Sequence, residues 1–322
     1  MNKTKKTYTG QDLAFIIPTK DRPEKVKTVL DSIARQTVPC GRIIVVDGGQ
    51  SVKDIVMSFS DRLPVEYYAC YPPGQILQRN MGISLLDERT PLVASLDDDI
   101  VLEPFSLEAM IAFWNRCTRK PAAVAFNIVN NPRHRYSWPK ALLNMSVPEE
   151  GCVLKSGYNT AFGDVDRDLK VQWVYGGATV WQQNVLKKYP QHNIISRWAT
   201  CEDMIYSYPI SKKMPLYVCA GARVRHEHIY SNRKDPYAQY RGKNVILWRL
   251  YFIQANPELS APLFLFTQAV TIPLRLIRGP FSRNRNEVQY ALGQVEGFIL
   301  GIYYLLRKKD LFSLINEDGV IK

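Results

Sequence analysis

Short apolar runs alternate with amphipathic segments along the first hundred residues of the chain. Four of the runs have the length and content of buried strands, and they cover residues 13–17, 43–46, 65–68 and 92–96. Apolar residues recur at helical spacing between these runs and predict helices near residues 26–33, 52–59 and 75–86. This alternation predicts an α/β fold with a mostly parallel, doubly wound sheet flanked by helices.

Two further stretches extend or interrupt this alternation. Residues 130–163 mix Pro, His, Trp and Asn without a period, which indicates loops that shape a pocket. Regular elements then return, with strands expected at residues 171–174, 216–218 and 222–225 and helices at residues 184–189 and 202–212. The α/β pattern therefore continues to about residue 230.

The composition changes after about residue 256. Residues 259–274 carry no charge, and residues 291–306 are apolar except for a few polar positions such as Gln294 and Glu296. Both stretches fall short of the roughly 20 clean apolar residues of a membrane-spanning helix. Their basic flanks favour helices that lie in a membrane interface, and packing on the protein or on a second subunit is the alternative. We expect one domain over residues 1–255 and an amphipathic helical region over residues 256–322.

Composition and charge narrow the class of protein. Among the 322 residues, 46% are apolar and 22% are charged, which is typical of a folded protein. The net charge of +12 indicates an anionic partner, and because no nucleic-acid motif accompanies it we expect no nucleic-acid binding. The six cysteines include no Cys-x-x-Cys pair, and no apolar signal segment follows the basic N-terminus. Both observations favour reduced thiols in a cytoplasmic protein.

Carboxylates follow three of the predicted strands. Asp21 and Asp47 come soon after the first two strands, and three consecutive aspartates at residues 97–99 come directly after the fourth. Because ligands of parallel α/β sheets bind at the carboxyl ends of strands, we expect these side chains to line one crevice. Carboxylates two residues apart suit a hard divalent cation that also holds phosphate oxygens. The alternative is an acidic turn that caps a helix opening at Glu103-Pro104.

Seven short motifs occur in a fixed order on this background. They are Phe15-Ile16-Ile17-Pro18-Thr19-Lys20-Asp21-Arg22, Ile43-Ile44-Val45-Val46-Asp47-Gly48-Gly49, Gln78-Arg79-Asn80-Met81-Gly82, Asp97-Asp98-Asp99, Tyr175-Gly176-Gly177-Ala178, Glu202-Asp203 and Arg225-His226-Glu227-His228. Over residues 13–230 the chain thereby resembles the GT-A glycosyltransferases of family 2. The resemblance implies a Rossmann-like GT-A domain within residues 1–255 that transfers a hexosyl group from a nucleotide sugar.

The resemblance implies a set of donor-binding residues. They are Pro18, Thr19, Asp21, Asp47, Arg79, Asp97 and Asp98. In similar enzymes the position of Asp47 accepts a hydrogen bond from a uracil-like N–H group, which implies a donor of the UDP type. Arg79 could face the diphosphate, because a guanidinium binds phosphate oxygens through two parallel donors, and an exposed helix position is the alternative.

The three aspartates correspond to the Asp-x-Asp motif of the family. The resemblance assigns Asp97 to the ribose, Asp98 to the orientation of the donor sugar, and Asp99 to a Mn²⁺ or Mg²⁺ ion that bridges the diphosphate. Many relatives carry a histidine at this distance after the Glu-Asp pair. The resemblance therefore implies that His226 is the second metal ligand, with His228 as the alternate ligand and a structural or surface role as the alternative.

The later motifs contain the residues expected to bind and activate the acceptor. The resemblance implies that Asp203 is the general base and that Glu202 orients the acceptor, with helix capping as the alternative for both acids. Gly176 and Gly177 bring backbone close to a sugar or form a tight turn. Trp181 either stacks on a sugar face or packs in the core.

These expectations combine into one function. The chain is expected to be a metal-dependent, inverting glycosyltransferase that adds a single sugar to a glycan or lipid-linked glycan at the inner face of the cell membrane. Processive polymer synthesis is not expected, because no Gln-x-x-Arg-Trp motif follows the histidines. The alternative is a non-catalytic nucleotide-sugar or glycan-binding module on the same fold. A sugar-1-phosphate nucleotidyltransferase is disfavoured, because residues 18–23 contain no glycine for a phosphate loop.

Overall fold

A computed structural model of the protein describes residues 7–194, 200–227, 235–281 and 286–317. The chain divides into two compact units. The first unit comprises Met1–His134, Phe162–Asn193 and Tyr206–His228, and the second comprises Arg135–Ala161, Ile194–Ile205 and Ile229–Lys322. The domain boundary expected between residues 255 and 256 stays a prediction.

The strands found in the described residues all belong to the first unit. They are β1 (Leu13–Thr19), β2 (Arg42–Asp47), β3 (Val65–Ala69), β4 (Leu92–Leu96), β5 (Ile100–Leu102), β6 (Ala123–Ile128), β7 (Leu169–Val171), β8 (Ala178–Gln182) and β9 (Leu216–His226).

The α-helices found in the described residues are distributed over both units. They are α1 (Pro23–Ala34), α2 (Lys53–Met57), α3 (Gln75–Ser84), α4 (Ser106–Arg116), α5 (Trp138–Leu142), α6 (Gln183–Lys188), α7 (Glu202–Ser211), α8 (Ala238–Gln254), α9 (Ala261–Arg278), α10 (Glu287–Leu306) and α11 (Leu311–Glu317).

The strands form one sheet in the order β3-β2-β1-β4-β8-β6-β9-β5, and β7 pairs with β9. Strands β3, β2, β1 and β4 are parallel neighbours, which confirms the α/β class predicted from the alternating pattern. Strand β8 is antiparallel to both β4 and β6, so this part of the sheet is mixed. Thr19 and Asp47 are partners in the β1–β2 register, so the carboxyl ends of these strands meet at one edge of the sheet.

Several parts of the sheet differ from the sequence expectation, and neither β5 nor β6 was predicted. Strand β8 carries no turn signal that separates it from the helix that follows, and the sequence pattern did not predict it. The strands expected at residues 216–218 and 222–225 are one strand, β9, whose register against β6 shifts between Phe126 and Asn127. The side chain of buried Asn127 donates to the carbonyl of Ala220 at 3.0 Å, which satisfies backbone in the irregular part of β9.

The second unit is built around close contact between α8 and α10. Glycines on both helices face backbone of the other helix, so that a Cβ built on Gly293 would lie 1.8 Å from the carbonyl oxygen of Gln239 and one on Gly242 would lie 2.0 Å from that of Tyr290. Only glycine permits this approach. Leu247, Trp248 and other apolar side chains of α8 fill the adjoining core. No helix within the described residues is both long and apolar enough to cross a membrane.

Candidate functional site

The three aspartates form the turn that joins β4 to β5. The Asp97 amide donates to the carbonyl of Gly177 at 2.8 Å, and the Ile100 amide donates to the carbonyl of Asp97 at 3.1 Å. The next element is a strand, and α4 begins only at Ser106. The alternative that these acids cap a helix opening at Glu103-Pro104 is therefore wrong.

Asp98 is the most deeply buried of the three, with 5% of its surface exposed. Its carboxylate accepts hydrogen bonds from the Thr19 hydroxyl at 2.7 Å and from the Arg22 guanidinium at 3.0 Å. Burial raises the pKa of this carboxyl, and the two donors oppose that shift. Asp98 therefore ties the turn to β1 and to the start of α1.

Asp99 lies beside His226. The Asp99 Oδ1 and His226 Nε2 atoms are 3.1 Å apart, and the Arg22 guanidinium is 3.5 Å from Asp99 Oδ2. The β5–β9 pairing sets this contact, because Ile100 and His226 are partners in its register. Asn130 exchanges two hydrogen bonds of 2.9 Å with the backbone of His226 and fixes the end of β9.

The Asp99–His226 pair fits two neighbouring ligands of one small divalent cation. Adjacent ligands of an octahedral ion with bonds of about 2.1 Å lie about 3.0 Å apart, close to the observed separation. Ions of this type that bind nucleotides take one or two protein groups and complete their shell with phosphate oxygens and water. Among the described residues, no group of three or more His, Cys, Asp or Glu side chains has the arrangement of a metal cage.

Asp97 points to a different set of partners. Its Oδ1 accepts from Arg79 Nη2 at 2.7 Å and from Gln75 Nε2 at 2.9 Å. Arg79 is only 4% exposed, so the alternative of an exposed helix position is wrong. A Cβ on Gly177 would lie 1.9 Å from Asp97 Oδ2, which explains the glycine there. The assignment of Arg79 to the diphosphate stays a prediction.

Asp47 ends β2 and is fully buried. Its carboxylate accepts from the amides of Gly49 at 2.9 Å and Val52 at 3.1 Å, and from the Tyr67 hydroxyl at 3.0 Å. Asp47 therefore shapes the turn that leads into α2. Whether it also receives a base N–H group stays a prediction.

Asp21 holds the other side of that turn. It has a φ of 55°, and its Oδ1 accepts from the Gln50 amide at 2.7 Å. A Cβ on Gly49 would lie 2.4 Å from this oxygen, so the second glycine of the motif lets the two loops meet. Pro18 and the nearly buried Thr19 lie at the end of β1, beside the same edge.

Two site residues were not assigned a role from the sequence. Arg22 contacts both Asp98 and Asp99, and its signal was its place at the end of the first motif. Gln78 is 3% exposed and donates to the carbonyls of Thr19 at 2.8 Å and Val46 at 2.7 Å, so it joins the ends of β1 and β2. A side-chain amide in a helical pattern gives no local signal of such a link.

Three of the remaining predicted residues lie in or just before β8. Gly176 and Gly177 precede β8, and Trp181 is 3% exposed in that strand with its ring centroid 5.1 Å from that of Tyr206. This burial agrees with core packing, the alternative to sugar stacking. His228 lies outside the described residues, so its role as alternate ligand stays a prediction.

Glu202 and Asp203 form the first turn of α7 and belong to the second unit. Both side chains are half-buried. Cys201, just before them, has a φ of 65°, an uncommon conformation for a residue other than glycine. Desolvation raises the pKa of the Cys201 thiol, and nearby Asp203 adds to that shift while Arg249 opposes it. The acids therefore lie in the first turn of the helix, where acids are favoured, and directly follow a residue in an uncommon backbone conformation.

Comparisons with known proteins identify the family of the chain. The model of the family described as Glycosyl transferase family 2 matches residues 14–189. Among solved structures, residues 1–349 of S. aureus TarS are 15% identical with a TM-score of 0.53, covering 95% of this chain and 90% of that chain. The same TarS fragment in complex with UDP-GlcNAc is 14% identical with a TM-score of 0.48, covering 92% of each chain. No curated protein sequence matches the chain. The first structural similarity supports the fold alone.

Proposed function

We propose that the chain, which belongs to glycosyl transferase family 2, moves a single sugar from a nucleotide-diphosphate sugar of the UDP type to a glycan or lipid-linked glycan. The observation that carries the proposal is the turn between β4 and β5. It brings Asp98 and Asp99 together with Thr19, Arg22 and His226 at the carboxyl end of the parallel strands, where ligands of such sheets bind.

Donor recognition is assigned to the first unit. Asp47 and Asp21 would hold the base through the turn they shape, and Asp97 would accept from the ribose. Arg79, held beside Asp97 at 2.7 Å, would contribute positive charge near the diphosphate. Asp98, fixed by Thr19 and Arg22, would act mainly by keeping the turn in one conformation.

Asp99 and His226 would hold the Mn²⁺ or Mg²⁺ ion. Their separation of 3.1 Å suits neighbouring positions on one ion. When bound, the ion would offset the negative charge that grows on the departing nucleoside diphosphate. Arg22, 3.5 Å from Asp99, would keep that carboxylate oriented.

Asp203 would serve as the general base. It would take the proton of the acceptor hydroxyl as the oxygen attacks the anomeric carbon and the bond to the diphosphate breaks, so one displacement inverts the anomeric centre. Glu202, next to it on the first turn of α7, would orient the acceptor.

Slow hydrolysis of nucleotide sugars tests the donor assignment. The full-length protein is incubated with a panel of UDP- and GDP-sugars and Mn²⁺, and the anomer released first is followed by proton NMR. We expect one UDP-sugar to be consumed faster than the others, with inversion and with loss of the activity in EDTA. Retention of configuration, or equal rates with and without EDTA, would contradict the proposed reaction.

The helices after residue 256 would place the protein on a membrane surface at the inner face of the cell membrane. Apolar side chains are exposed on α9 and just after it, including Ile277 at 67% and Phe281 at 90%, and Arg278 lies between them. On α10, Ile299 is 62% exposed. Exposed apolar residues beside basic ones suit an anionic interface.

Co-sedimentation with anionic phospholipid vesicles tests this attachment. Phe281→Ser should lower the bound fraction several-fold, because each buried aromatic side chain contributes about 1.5–3 kcal/mol. Met57→Ser is the matched control, since Met57 is an exposed apolar residue of α2. Equal losses in both variants, or none in Phe281→Ser, would count against the attachment.

A further inference from the structure

A cavity of about 680 Å³ lies in the second unit. Its walls come from α5 and the residues after it and from α8, α9 and α10. Sites for organic ligands ordinarily have volumes of about 300–1,000 Å³, and this cavity falls within that range. No residue of the seven motifs lines it.

The charge of the cavity is strongly positive. Among the described residues that line it, four side chains are cationic and Glu287 is the one carboxylate. Glu287 lies 3.3 Å from Arg275, and Arg249 donates to the carbonyl of Gly157 at 2.6 Å. Lys140 and Arg278 make no ion pair with a carboxylate in the described part of the chain. Two cations therefore remain for an anionic group.

The same cavity has apolar walls. Val245 and Phe264 line it from α8 and α9, and Leu274, which also lines it, is 46% exposed. A purely ionic ligand would leave this apolar surface without a partner, and a hydrocarbon would make no use of the exposed cations of Lys140 and Arg278. A ligand with an anionic head and a hydrocarbon chain satisfies both.

Arg249 connects the cavity to the segment that carries Asp203. It lines the cavity, and it also lies 3.9 Å from the Met204 sulfur and close enough to Cys201 to oppose the rise in pKa that burial causes in that thiol. Cys201 and Met204 flank Asp203. Arg249 therefore contacts both the cavity and the residues on either side of the proposed base.

We propose that this cavity binds the phosphate-bearing lipid portion of the acceptor. Lys140 and Arg278 contact the phosphate oxygens, and the hydrocarbon chain lies against Leu274 and Phe264. The identification of this lipid as the acceptor rests on the proposed glycosyl transfer, whereas the binding itself does not.

Calorimetry of the full-length protein with dodecyl phosphate, below the concentration at which it forms micelles, measures the binding directly. Dodecanol, which has the hydrocarbon chain without the phosphate, and inorganic phosphate, which has no chain, are the comparison ligands. We expect dodecyl phosphate to bind at least tenfold more tightly than either. Equal binding of inorganic phosphate, or of dodecanol, would overturn the proposal.

A pair of variants locates the site. Lys140→Gln combined with Arg278→Gln should weaken dodecyl phosphate binding at least tenfold, because two charge-assisted contacts are lost. Arg119→Gln combined with Lys120→Gln removes the same charges from an exposed turn of the first unit and should bind like the wild type. The charge-conserving pair Lys140→Arg and Arg278→Lys should retain binding, which separates lost contacts from misfolding. Unchanged binding in the glutamine pair, or an equal loss in the control pair, would overturn the proposal.

The binding and the transfer reaction can fail separately. Dodecyl phosphate binding is measured without any nucleotide sugar, so it can succeed when no donor is turned over. If donor hydrolysis is observed and dodecyl phosphate does not bind to the wild type, the cavity assignment is wrong and the transfer reaction stands.

Discussion

In the first unit three carboxylates are concentrated in one turn, whereas in the second unit four cationic side chains are spread over three helices around an apolar cavity. Each carboxylate of the turn has a cationic neighbour, as Arg79 is for Asp97 and Arg22 is for Asp98. In the cavity, cations outnumber the single carboxylate of Glu287. The first arrangement is an acidic turn that we propose holds a metal-bound diphosphate, and the second is a cavity that we propose holds an anion with an apolar chain.

The difference also lies in how the chain builds each arrangement. The acidic turn is local, because it follows one strand and its partners come from the ends of neighbouring strands. The cavity is nonlocal, because Lys140 and Arg278 are separated by most of the second unit's chain. Under the proposed function, donor recognition belongs to the first unit and the acceptor binds residues of the second.

The largest expected effect comes from Asp203→Asn. Loss of a positioned general base should slow transfer by about 10²- to 10⁴-fold, while donor binding, assigned to the first unit, should survive. Initial rates and calorimetry with the donor check both parts. Asp54→Asn, the same change at an exposed carboxylate of α2, is the control and should keep full activity. Loss of donor binding in Asp203→Asn would break the division of roles between the units.

A smaller effect is expected from Gly293→Ala in the second unit. The added Cβ would lie 1.8 Å from a backbone oxygen of α8, which cannot move as a side chain can. The cost of overpacking, about 1–3 kcal/mol, should exceed the gain of about 1 kcal/mol in helix propensity. We therefore expect the free energy of unfolding to fall in urea titrations.

Gly74→Ala is the matched control for that change. Its Cβ would meet only Leu77 Cβ, at an ordinary 3.5 Å. Because Gly74 is the N-cap of α3, where alanine is less favourable than glycine, this variant should lose at most about 1 kcal/mol relative to the wild type. If Gly293→Ala is as stable as Gly74→Ala, the close α8–α10 contact is not what holds the second unit together.

The smallest effect concerns Asp98. Burial raises the pKa of its carboxyl, so the folded state binds the proton more tightly than the unfolded state. The stabilisation that comes from this tighter proton binding is fully present below the unfolded pKa of about 3.8. It is lost as the pH rises through the raised pKa of the folded state. Asp98→Asn should therefore gain stability relative to the wild type between pH 4 and pH 7, by less than about 1 kcal/mol.

The Asp31 carboxyl should show the opposite dependence of stability on pH. A hydrogen bond from Lys27 lowers the pKa of the Asp31 carboxyl, so its contribution is present above pH 3.8 and is lost as the pH falls through the folded pKa. Asp31→Asn should lose stability relative to the wild type over the range in which Asp98→Asn gains it. Parallel trends in the two variants, followed by urea unfolding at several pH values, would contradict the electrostatic account of the turn.

The sequence predicted much of the first unit and little of the second. Strands β1, β2 and β4 end at Thr19, Asp47 and Leu96, so each apolar run stops at or next to a polar residue of the predicted site. The tie of Arg79 to Asp97 depends on the packing of α3 against the sheet and has no local signal. Strand β8 was missed because it passes directly into α6 without a turn residue.

The cavity shows the limit of sequence patterns more clearly. The basic residues near Arg275 and Arg278 were visible, but as flanks of an apolar helix they indicated only a membrane surface. Lys140 lies in a stretch interpreted as loops, and nothing near it in the sequence indicates α9. Such a site is specified by packing between distant segments, which a single sequence does not reveal.

Titration calorimetry of the preferred UDP-sugar, with and without Mn²⁺, tests the central claim most directly when the wild type is compared with Asp99→Ala. The account predicts that Mn²⁺ strengthens donor binding to the wild type at least tenfold and has no such effect on Asp99→Ala, while Asp54→Ala behaves as the wild type does. Equal strengthening by Mn²⁺ in Asp99→Ala and the wild type would contradict the assignment of the acidic turn as the metal-holding edge of the donor site.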